Sequence, residues 1–260
     1  MPRKRWYLGL WLVLGSCPLA AQVPKEGLNV PLIEGKAQNV YLYPGAPALR
    51  TGLKVLYVPG DAGMWGPART MAQQMAKWGY DVFGLDTKDY LESFTDNTAL
   101  KEPRVMDHFH QLAQWVAQGD SARIALVGWS EGAGLGLLAA SAAQNKQLFS
   151  GLIAIGLSEA SELGWRWQDD ITYITKADPD EPEFPSAPYM PQVAPLPLLM
   201  IQSTHDVYVS AEAAQQLFAL ARDPKRFSLL RAKDHRFSDN TEEFYQVLHD
   251  GLQWLAATSP

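Results

Sequence analysis

Three residues that together can perform nucleophilic catalysis occur along this chain in the order serine, aspartate, histidine. Ser130 lies in the pentapeptide Gly128-Trp129-Ser130-Glu131-Gly132, which matches the pattern G-x-S-x-G. Asp206 and His235 each follow a short apolar run further along the chain. A serine that is activated by a histidine, itself oriented by an aspartate, attacks a carbonyl carbon and forms an acyl-enzyme. The three residues therefore predict acyl-transfer chemistry with Ser130 as the nucleophile.

The residues around Ser130 predict the strand–turn–helix context that the pattern requires. The run Ile124 to Val127 is short and rich in branched residues, which is typical of a buried strand. Small residues between positions 133 and 140 predict a closely packed helix after the turn. The alternative is a chance match in a glycine-rich loop, and the flanking strand and helix count against it.

His235 follows the last predicted strand and is expected to act as the general base. Asp206 follows the preceding predicted strand and is expected to orient the imidazole and stabilise its charged form. Glu159 or Glu162, after an earlier strand, could supply the acid instead. The structural alternatives are an exposed loop histidine and an aspartate that belongs to a turn.

The loop Pro59-Gly60-Asp61-Ala62-Gly63 follows another apolar run. The backbone amide of Asp61 or Ala62, together with that of Glu131, is expected to form an oxyanion hole, in which each donor contributes roughly 3 kcal/mol. The loop lacks the Lys-Ser/Thr ending of a phosphate-binding P-loop. No His/Cys/Asp cluster has metal-ligand spacing, so the sequence predicts no metal and no cofactor.

Strands and helices alternate along the chain, which predicts an α/β fold with a mostly parallel, doubly wound sheet. In such sheets the active site forms at the carboxyl ends of the strands, where these candidate residues lie. The predicted strands are 39–43, 53–58, 80–85, 124–127, 151–157, 197–203 and 226–231. The predicted helices, besides the one after Ser130, are 67–78, 103–118, 210–221 and 240–255.

Length and composition set limits on the class of protein. The 260 residues suit one sizeable domain, here predicted over residues 22–260. The chain is 47% hydrophobic and 19% charged, which favours a packed core over disorder. Its net charge of −6 and its lack of a basic patch beyond the first five residues make nucleic acid a poor partner.

Residues 1–21 have the features of a signal peptide. Basic residues at positions 3–5 precede an apolar stretch, 6–15, that is too short to span a bilayer. Two endings fit: cleavage before Gln22, or a lipobox in which Cys17, the only cysteine, is lipidated and becomes the mature N-terminus. Both predict export, to the periplasm or as a lipoprotein at a membrane surface.

A segment at 159–193 differs in kind from the rest of the chain because it combines aromatic, proline and acidic residues. Over 159–183 it carries eight acidic residues and only two basic ones, Arg166 and Lys176. It is either a solvated loop or a small lid over the site. A lid of this charge would favour a substrate that bears a cation.

These residues together resemble those of the α/β-hydrolases over essentially the whole mature length. The resemblance depends on the Gly128–Gly132 pentapeptide followed by Asp206 and His235 in that order. It implies an α/β-hydrolase fold with the 159–193 segment as a lid-like insertion, and a hydrolase that uses Ser130, Asp206 and His235.

A narrower resemblance is to the family of the bacterial virulence proteins VirJ and AcvB. The residues Val58 to Trp65 are similar to the Ser-Gly-Asp-Gly-Gly-Trp loop of that family, and residues 78–90 also fit. Glu131 departs from it, since the family tends to carry an aromatic there, and so does Lys233-Asp234-His235-Arg236-Phe237. The resemblance implies an exported hydrolase, with aminoacylated phospholipid as one substrate class.

The expected function is thus that of an exported serine hydrolase that cleaves a carboxylic ester, such as an aminoacyl-phospholipid or other lipid ester. Two alternatives stay open. One is an amidase or peptidase that uses the same three residues. The other is a non-catalytic periplasmic binding or secretion-accessory protein on a hydrolase scaffold.

Overall fold

The computed structural model describes residues 27–95, 100–119, 123–171 and 181–258. Its strands are β1 (Gly27–Asn29), β2 (Leu32–Ile33), β3 (Lys36–Ala37), β4 (Val40–Tyr43), β5 (Lys54–Val58), β6 (Asp81–Leu85), β7 (Ile124–Trp129), β8 (Phe149–Ile155), β9 (Ala160–Glu162), β10 (Glu183–Pro185), β11 (Leu198–Ser203) and β12 (Lys225–Leu230). Its α-helices are α1 (Pro67–Lys77), α2 (Thr87–Phe94), α3 (Glu102–Ala117), α4 (Glu131–Ser141), α5 (Ala211–Leu220) and α6 (Thr241–Thr258).

Eight of these strands form the central sheet, in the order β1-β4-β6-β5-β7-β8-β11-β12. Strands β5, β6, β7, β8, β11 and β12 pair in parallel, and β4 and β1 extend one edge with antiparallel pairing. The expected doubly wound, mostly parallel sheet is therefore confirmed, with an antiparallel edge.

Helices cover both faces of the sheet. Helices α2 to α5 pack with one face into a hydrophobic cluster, and α1 and α6 pack into a second cluster on the other face. Every residue of β5, β7 and β11 is buried. This explains why these strands read as continuous apolar runs rather than as alternating patterns.

Local signals account for most helix starts. Pro67 occupies the first turn of α1, and the side chain of Ser210 caps α5 by accepting a hydrogen bond from the amide of Ala213. The sequence analysis missed α2, whose cap is the carboxyl of Asp86 accepting from the amide of Asp89. It also ended β7 two residues early, because Gly128 and Trp129 continue the strand up to Ser130.

The segment at 159–193 is described except for residues 172–180, which lie outside the described ranges. Strands β9 and β10 form a small antiparallel pair, and the side chains of Trp165 and Phe184 are buried in the core. This part of the segment is thus packed onto the domain. The predicted signal peptide and Cys17 lie outside the described residues, so the proposed domain bounds stay a prediction. In the described ranges no helix is both long and apolar enough to cross a membrane.

Candidate active site

Ser130 stands at a sharp turn between β7 and α4. Its backbone has φ 56° and ψ −124°, a conformation that is unfavourable for a residue with a side chain. The amide of Ser130 donates a hydrogen bond of 2.9 Å to the carbonyl oxygen of Ile155, which ties the turn to β8. A Cβ atom on Gly132 would overlap the carbonyl oxygens of Val58 and Pro59. The crowding explains the glycine that the motif requires.

His235 and Asp206 come together at the carboxyl ends of β12 and β11. Nδ1 of His235 lies 2.6 Å from Oδ2 of Asp206. The Asp206 side chain is 1% exposed and that of His235 is 10% exposed. The structure therefore brings together two residues that are 29 positions apart in the chain.

Four hydrogen bonds hold the Asp206 carboxylate. Oδ1 accepts from the amides of Tyr208 and Val209 at 2.9 and 3.2 Å, and Oδ2 accepts from Gln202 at 3.1 Å as well as from His235. Burial of the carboxyl opposes its ionisation, but the bonds from His235, Tyr208 and Val209 outweigh this effect and lower the pKa of Asp206. The carboxylate is thus kept charged beside the imidazole.

Two aromatic rings fix the plane of the His235 imidazole. Trp129 lies nearly parallel to it, with ring centroids 6.1 Å apart, and Tyr208 meets it edge-on at 5.4 Å. Nε2 of His235 is buried and has no hydrogen-bond partner among the described residues. This nitrogen is on the side of the ring away from Asp206, and His235 lines the same cleft as Ser130. Nε2 of His235 thus makes no hydrogen bond to Oγ of Ser130 here; such a bond between a base and its nucleophile often tightens only when substrate is bound.

The other acidic residues near His235 in the chain or the fold have no described hydrogen bond to it. The Glu162 carboxyl is hydrogen-bonded to that of Glu131, and Glu159 is exposed. Asp234 precedes His235 but bonds within its own loop, since its Oδ1 accepts from the amides of Arg236 and Ser238 at 3.0 Å each. Of these candidates, Asp206 alone has a described hydrogen bond to His235.

The loop after β5 lies against the turn at Ser130. A Cβ atom on Gly60 would be 3.2 Å from Cβ of Ser130, so Asp61 and Ala62 follow a point of close approach. The amide of Ala62 donates to Oδ1 of Asp61 at 3.0 Å. Glu131 is the first residue of α4, and the positive end of the helix dipole lies here. All three predicted oxyanion-hole residues line one cleft with Ser130.

This cleft has a volume of about 1280 Å³ and an acidic wall. Asp61, Glu131 and Glu162 all line it. Burial, with the neighbouring Glu162 and Asp61 carboxyls, raises the pKa of Glu131 well above its ordinary value. The charged form of Glu131 is therefore disfavoured at this wall of the cleft.

Exposed apolar side chains flank the mouth of the cleft. Trp65, in the loop after β5, is 60% exposed, and Val207 and Tyr208, after β11, are 80% and 69% exposed. Lys88 of α2 also lines the cleft and binds Asp170 of the 159–193 segment at 2.7 and 2.9 Å. The segment is thus tied to the wall of the cleft by an ion pair between the basic Lys88 and one of the segment's own acidic residues.

Sequence reasoning missed several residues that contact the site. Gln202 bonds to Asp206, and Gly156 lies against His235. A polar residue at the end of an otherwise apolar strand was a usable signal for Gln202, whereas the contact of Gly156 depends on the folded backbone. In the described part of the chain, no group of three or more His, Cys, Asp or Glu residues could hold a metal ion.

A mostly parallel eight-stranded sheet, with a strained serine after β7 and a His–Asp pair at the neighbouring strand ends, defines an α/β-hydrolase fold. The chain belongs to the prolyl oligopeptidase family, which it matches over residues 69–259. It is therefore a member of the α/β serine hydrolases. No curated protein matches the chain significantly.

Solved structures agree with this fold. The α/β hydrolase GrgF from Penicillium sp. sh18 superposes with a TM-score of 0.66 at 14% identity, covering 91% of this chain and 99% of that one. Est1E from Butyrivibrio proteoclasticus has a TM-score of 0.64 at 11% identity, covering 89% and 99%. The dienelactone hydrolase from Anabaena variabilis has a TM-score of 0.64 at 14% identity, covering 88% and 97%. At such identities the likeness concerns the fold.

Proposed function

We propose that this protein is a serine hydrolase that cleaves carboxylic esters through an acyl-enzyme on Ser130. The observation that carries the proposal is the 2.6 Å contact of the buried Asp206 with His235, which lines the same cleft as Ser130 in its strained turn. An esterase domain from Rhodothermus marinus and an esterase from Pyrococcus furiosus are among the similar structures, which supports an ester as the bond that is cleaved.

In the proposed reaction, Oγ of Ser130 attacks the acyl carbon while Nε2 of His235 takes the hydroxyl proton. Asp206 holds the imidazole in the tautomer with Nδ1 protonated and stabilises the imidazolium. Backbone amides of Asp61 or Ala62, with that of Glu131, hold the oxyanion. The bond to the leaving oxygen then breaks, and His235 returns the proton to that oxygen. Water, activated by His235, releases the acid.

The acyl group that we propose bears an ammonium, as in an aminoacyl ester, including one carried on a phospholipid. Asp61 and Glu162 line the cleft together with Ser130, so a cation on the acyl group would meet negative charge there. The resemblance of the 58–65 loop to the VirJ and AcvB family supports the same substrate class. Trp65 and Tyr208 at the cleft mouth would contact an apolar leaving group.

Export is part of the proposal. The basic and apolar residues at 3–15 support a signal peptide, and Cys17 supports a lipidated, membrane-anchored form. Mass spectrometry of the protein from a bacterial membrane fraction and from the periplasm tests this. A mature N-terminus at Gln22 supports the soluble form, a diacylated Cys17 supports the lipoprotein, and an intact Met1 contradicts export.

Labelling with a fluorophosphonate probe tests the nucleophile directly. We expect the wild type to be labelled, Ser130→Ala to be unlabelled, and His235→Ala to react much more slowly. Circular dichroism shows whether the variants are folded. A folded wild type that no fluorophosphonate labels would contradict the proposal and favour a non-catalytic binding protein, in which Ser130→Ala leaves the biological role unchanged.

A matched pair of substrates tests the acyl group. Alanyl and propionyl 2-naphthyl esters differ only in the ammonium, and we expect a higher kcat/KM for the alanyl ester. Glu162→Gln should lower kcat/KM for the alanyl ester about tenfold, the size of one moderately screened ion pair, and leave the propionyl ester unchanged. Equal losses on both esters would contradict an ammonium subsite.

The second candidate is cleavage of an amide or peptide bond by the same three residues. The match to the prolyl oligopeptidase family favours it, since an oligopeptidase cleaves peptide bonds. Alanyl 2-naphthylamide and alanyl 2-naphthyl ester separate the two bonds in one acyl context. Turnover of the amide at a rate similar to that of the ester would favour the peptidase over the esterase.

A further inference from the structure

Gln202 is a buried polar residue on a strand whose other buried positions are mostly apolar. It lies on β11, where the preceding residues Leu198 to Ile201 are all apolar and buried. Gln202 itself is only 1% exposed. A buried amide needs partners, because its removal from water is costly unless hydrogen bonds replace those with water.

The Gln202 amide has two acceptors, and both belong to the loop that carries Asp206. Nε2 donates to Oδ2 of Asp206 at 3.1 Å and to the carbonyl oxygen of Val209 at 2.8 Å. A carboxylate and a backbone carbonyl can only accept here, so the orientation of the amide follows from its partners. Gln202 therefore bridges the two ends of the 206–209 loop.

The other half of the same amide is unsatisfied. Oε1 of Gln202 is buried and has no hydrogen-bond partner among the described residues. An unsatisfied buried carbonyl lowers stability, and an apolar side chain of similar length would avoid this loss. The contribution of Gln202 to folding is thus poor, which points to a role in the site.

We infer that Gln202 is a positioning residue that fixes the Asp206 carboxylate for its bond to His235. Without Gln202, Oδ2 would keep the imidazole as its only partner, while the amides of Tyr208 and Val209 hold Oδ1. The carboxylate could then turn about its bond to Cβ, and Val209 would lose its tie to β11. The inference rests on the proposed function, in which the Asp206–His235 bond orients the base.

Gln202→Met provides the test, since methionine is unbranched, similar in length and apolar. We expect kcat on the propionyl ester to fall about 10- to 100-fold, as for loss of outer-shell partners at metal sites, with KM unchanged. We expect the melting temperature to stay the same or rise. The downfield proton resonance of His235 Nδ1–H should broaden or disappear. Ile201→Val is the control, since it removes packing on the same strand and should lower the melting temperature without changing kcat or the resonance.

Two results would overturn the inference. One is an unchanged kcat and an unchanged Nδ1–H resonance in Gln202→Met. The other is a loss of kcat that accompanies a loss of melting temperature while the resonance stays sharp, which would make Gln202 structural. If the wild type shows no esterase activity and no fluorophosphonate labelling, the proposed function fails, and the resonance alone still decides whether Gln202 positions Asp206.

Discussion

Gly156 lies directly against the imidazole of His235. A Cβ atom on Gly156 would overlap Cε1 of His235 and come within 3.0 Å of Nδ1. The amide of Gly156 donates to the carbonyl oxygen of Ile201 at 3.0 Å, so the backbone there is tied to β11 and cannot easily retreat. The end of β8 thus forms a wall for the ring, in addition to Trp129 and Tyr208.

We therefore predict that Gly156→Ala displaces His235 and reduces the rate of fluorophosphonate labelling by at least 100-fold. A shift of about 1 Å in a catalytic group is sufficient for such a loss. Gly156 also has φ +61°, so alanine there strains the backbone as well.

Gly52→Ala separates the two effects. Gly52 has φ +76°, and a Cβ atom there would meet nothing within 4 Å. We expect it to lose stability, as Gly156→Ala does, but to be labelled at the wild-type rate. If Gly156→Ala is labelled as fast as Gly52→Ala, the ring does not depend on this wall.

Asp206→Asn should reduce kcat by about 10⁴-fold, which is the effect of the same Asp-to-Asn change in the Ser-His-Asp triad of a serine protease. An asparagine amide would donate to Nδ1 and so place the imidazole in the tautomer that cannot accept the serine proton. Steady-state kinetics on the propionyl ester measure the loss.

The control for Asp206 is Asp234→Asn, next to the base in sequence. The Asp234 carboxyl bonds to the amides of Arg236 and Ser238 and has no described bond to His235. We expect it to change kcat by no more than a few-fold. A comparable loss in both variants would show that the loop, and not the Asp206–His235 bond, is what kcat depends on.

Local patterns were enough to predict much of the fold. The apolar runs that became β5, β7, β8, β11 and β12 are dense because both faces of a parallel sheet are buried. Ser130, Asp206 and His235 could be placed because each follows such a run, and the carboxyl ends of parallel strands meet at one edge. Helix α2 has only eight residues, too few for a clear period, and was missed.

Contacts between distant residues could not be predicted in the same way. Glu131 and Glu162 meet because β9 folds over the start of α4, yet β9 has three residues and no recognisable pattern. The burial of Trp165 and Phe184 in the 159–193 segment likewise depends on tertiary packing. The acidic composition of that segment pointed to solvent, while its aromatic residues joined the core.

Glu131→Gln should raise the melting temperature at neutral and alkaline pH. Burial and the nearby Glu162 and Asp61 carboxyls raise the pKa of Glu131, so the folded state favours its protonated form. The resulting stability is fully present below the unfolded pKa of about 4.5 and is lost as pH rises through the folded pKa. Glutamine mimics the protonated form at every pH.

Melting curves from pH 4 to pH 9 measure this effect. The advantage of Glu131→Gln over the wild type should be small at pH 4 and grow with pH. Glu159→Gln, at an exposed glutamate just before β9, should give no such growth. A constant difference between Glu131→Gln and wild type across the range would contradict a raised pKa.

A cluster in which Glu34, exposed to solvent, contacts the buried His108 should make the protein sensitive to acid. Nδ1 of His108 lies 3.0 Å from the hydroxyl of Tyr90, and Nε2 lies 3.0 Å from Glu34, which also binds Arg104 at 2.7 Å. Hydrogen bonds from Arg104, together with the adjacent His108, lower the pKa of Glu34 to about 2, and burial lowers that of His108. Both folded-state pKa values lie below the unfolded ones, so the protein loses stability as the pH falls. The loss begins below about pH 6.5 through His108 and continues from about pH 4.5 towards pH 2 through Glu34.

Glu34→Gln should be less stable than the wild type at pH 7 and should lose less stability between pH 4.5 and 3. Glu242→Gln, at an exposed site on α6, should follow the wild-type curve, and an equally steep acid loss in Glu34→Gln would show that other groups cause it.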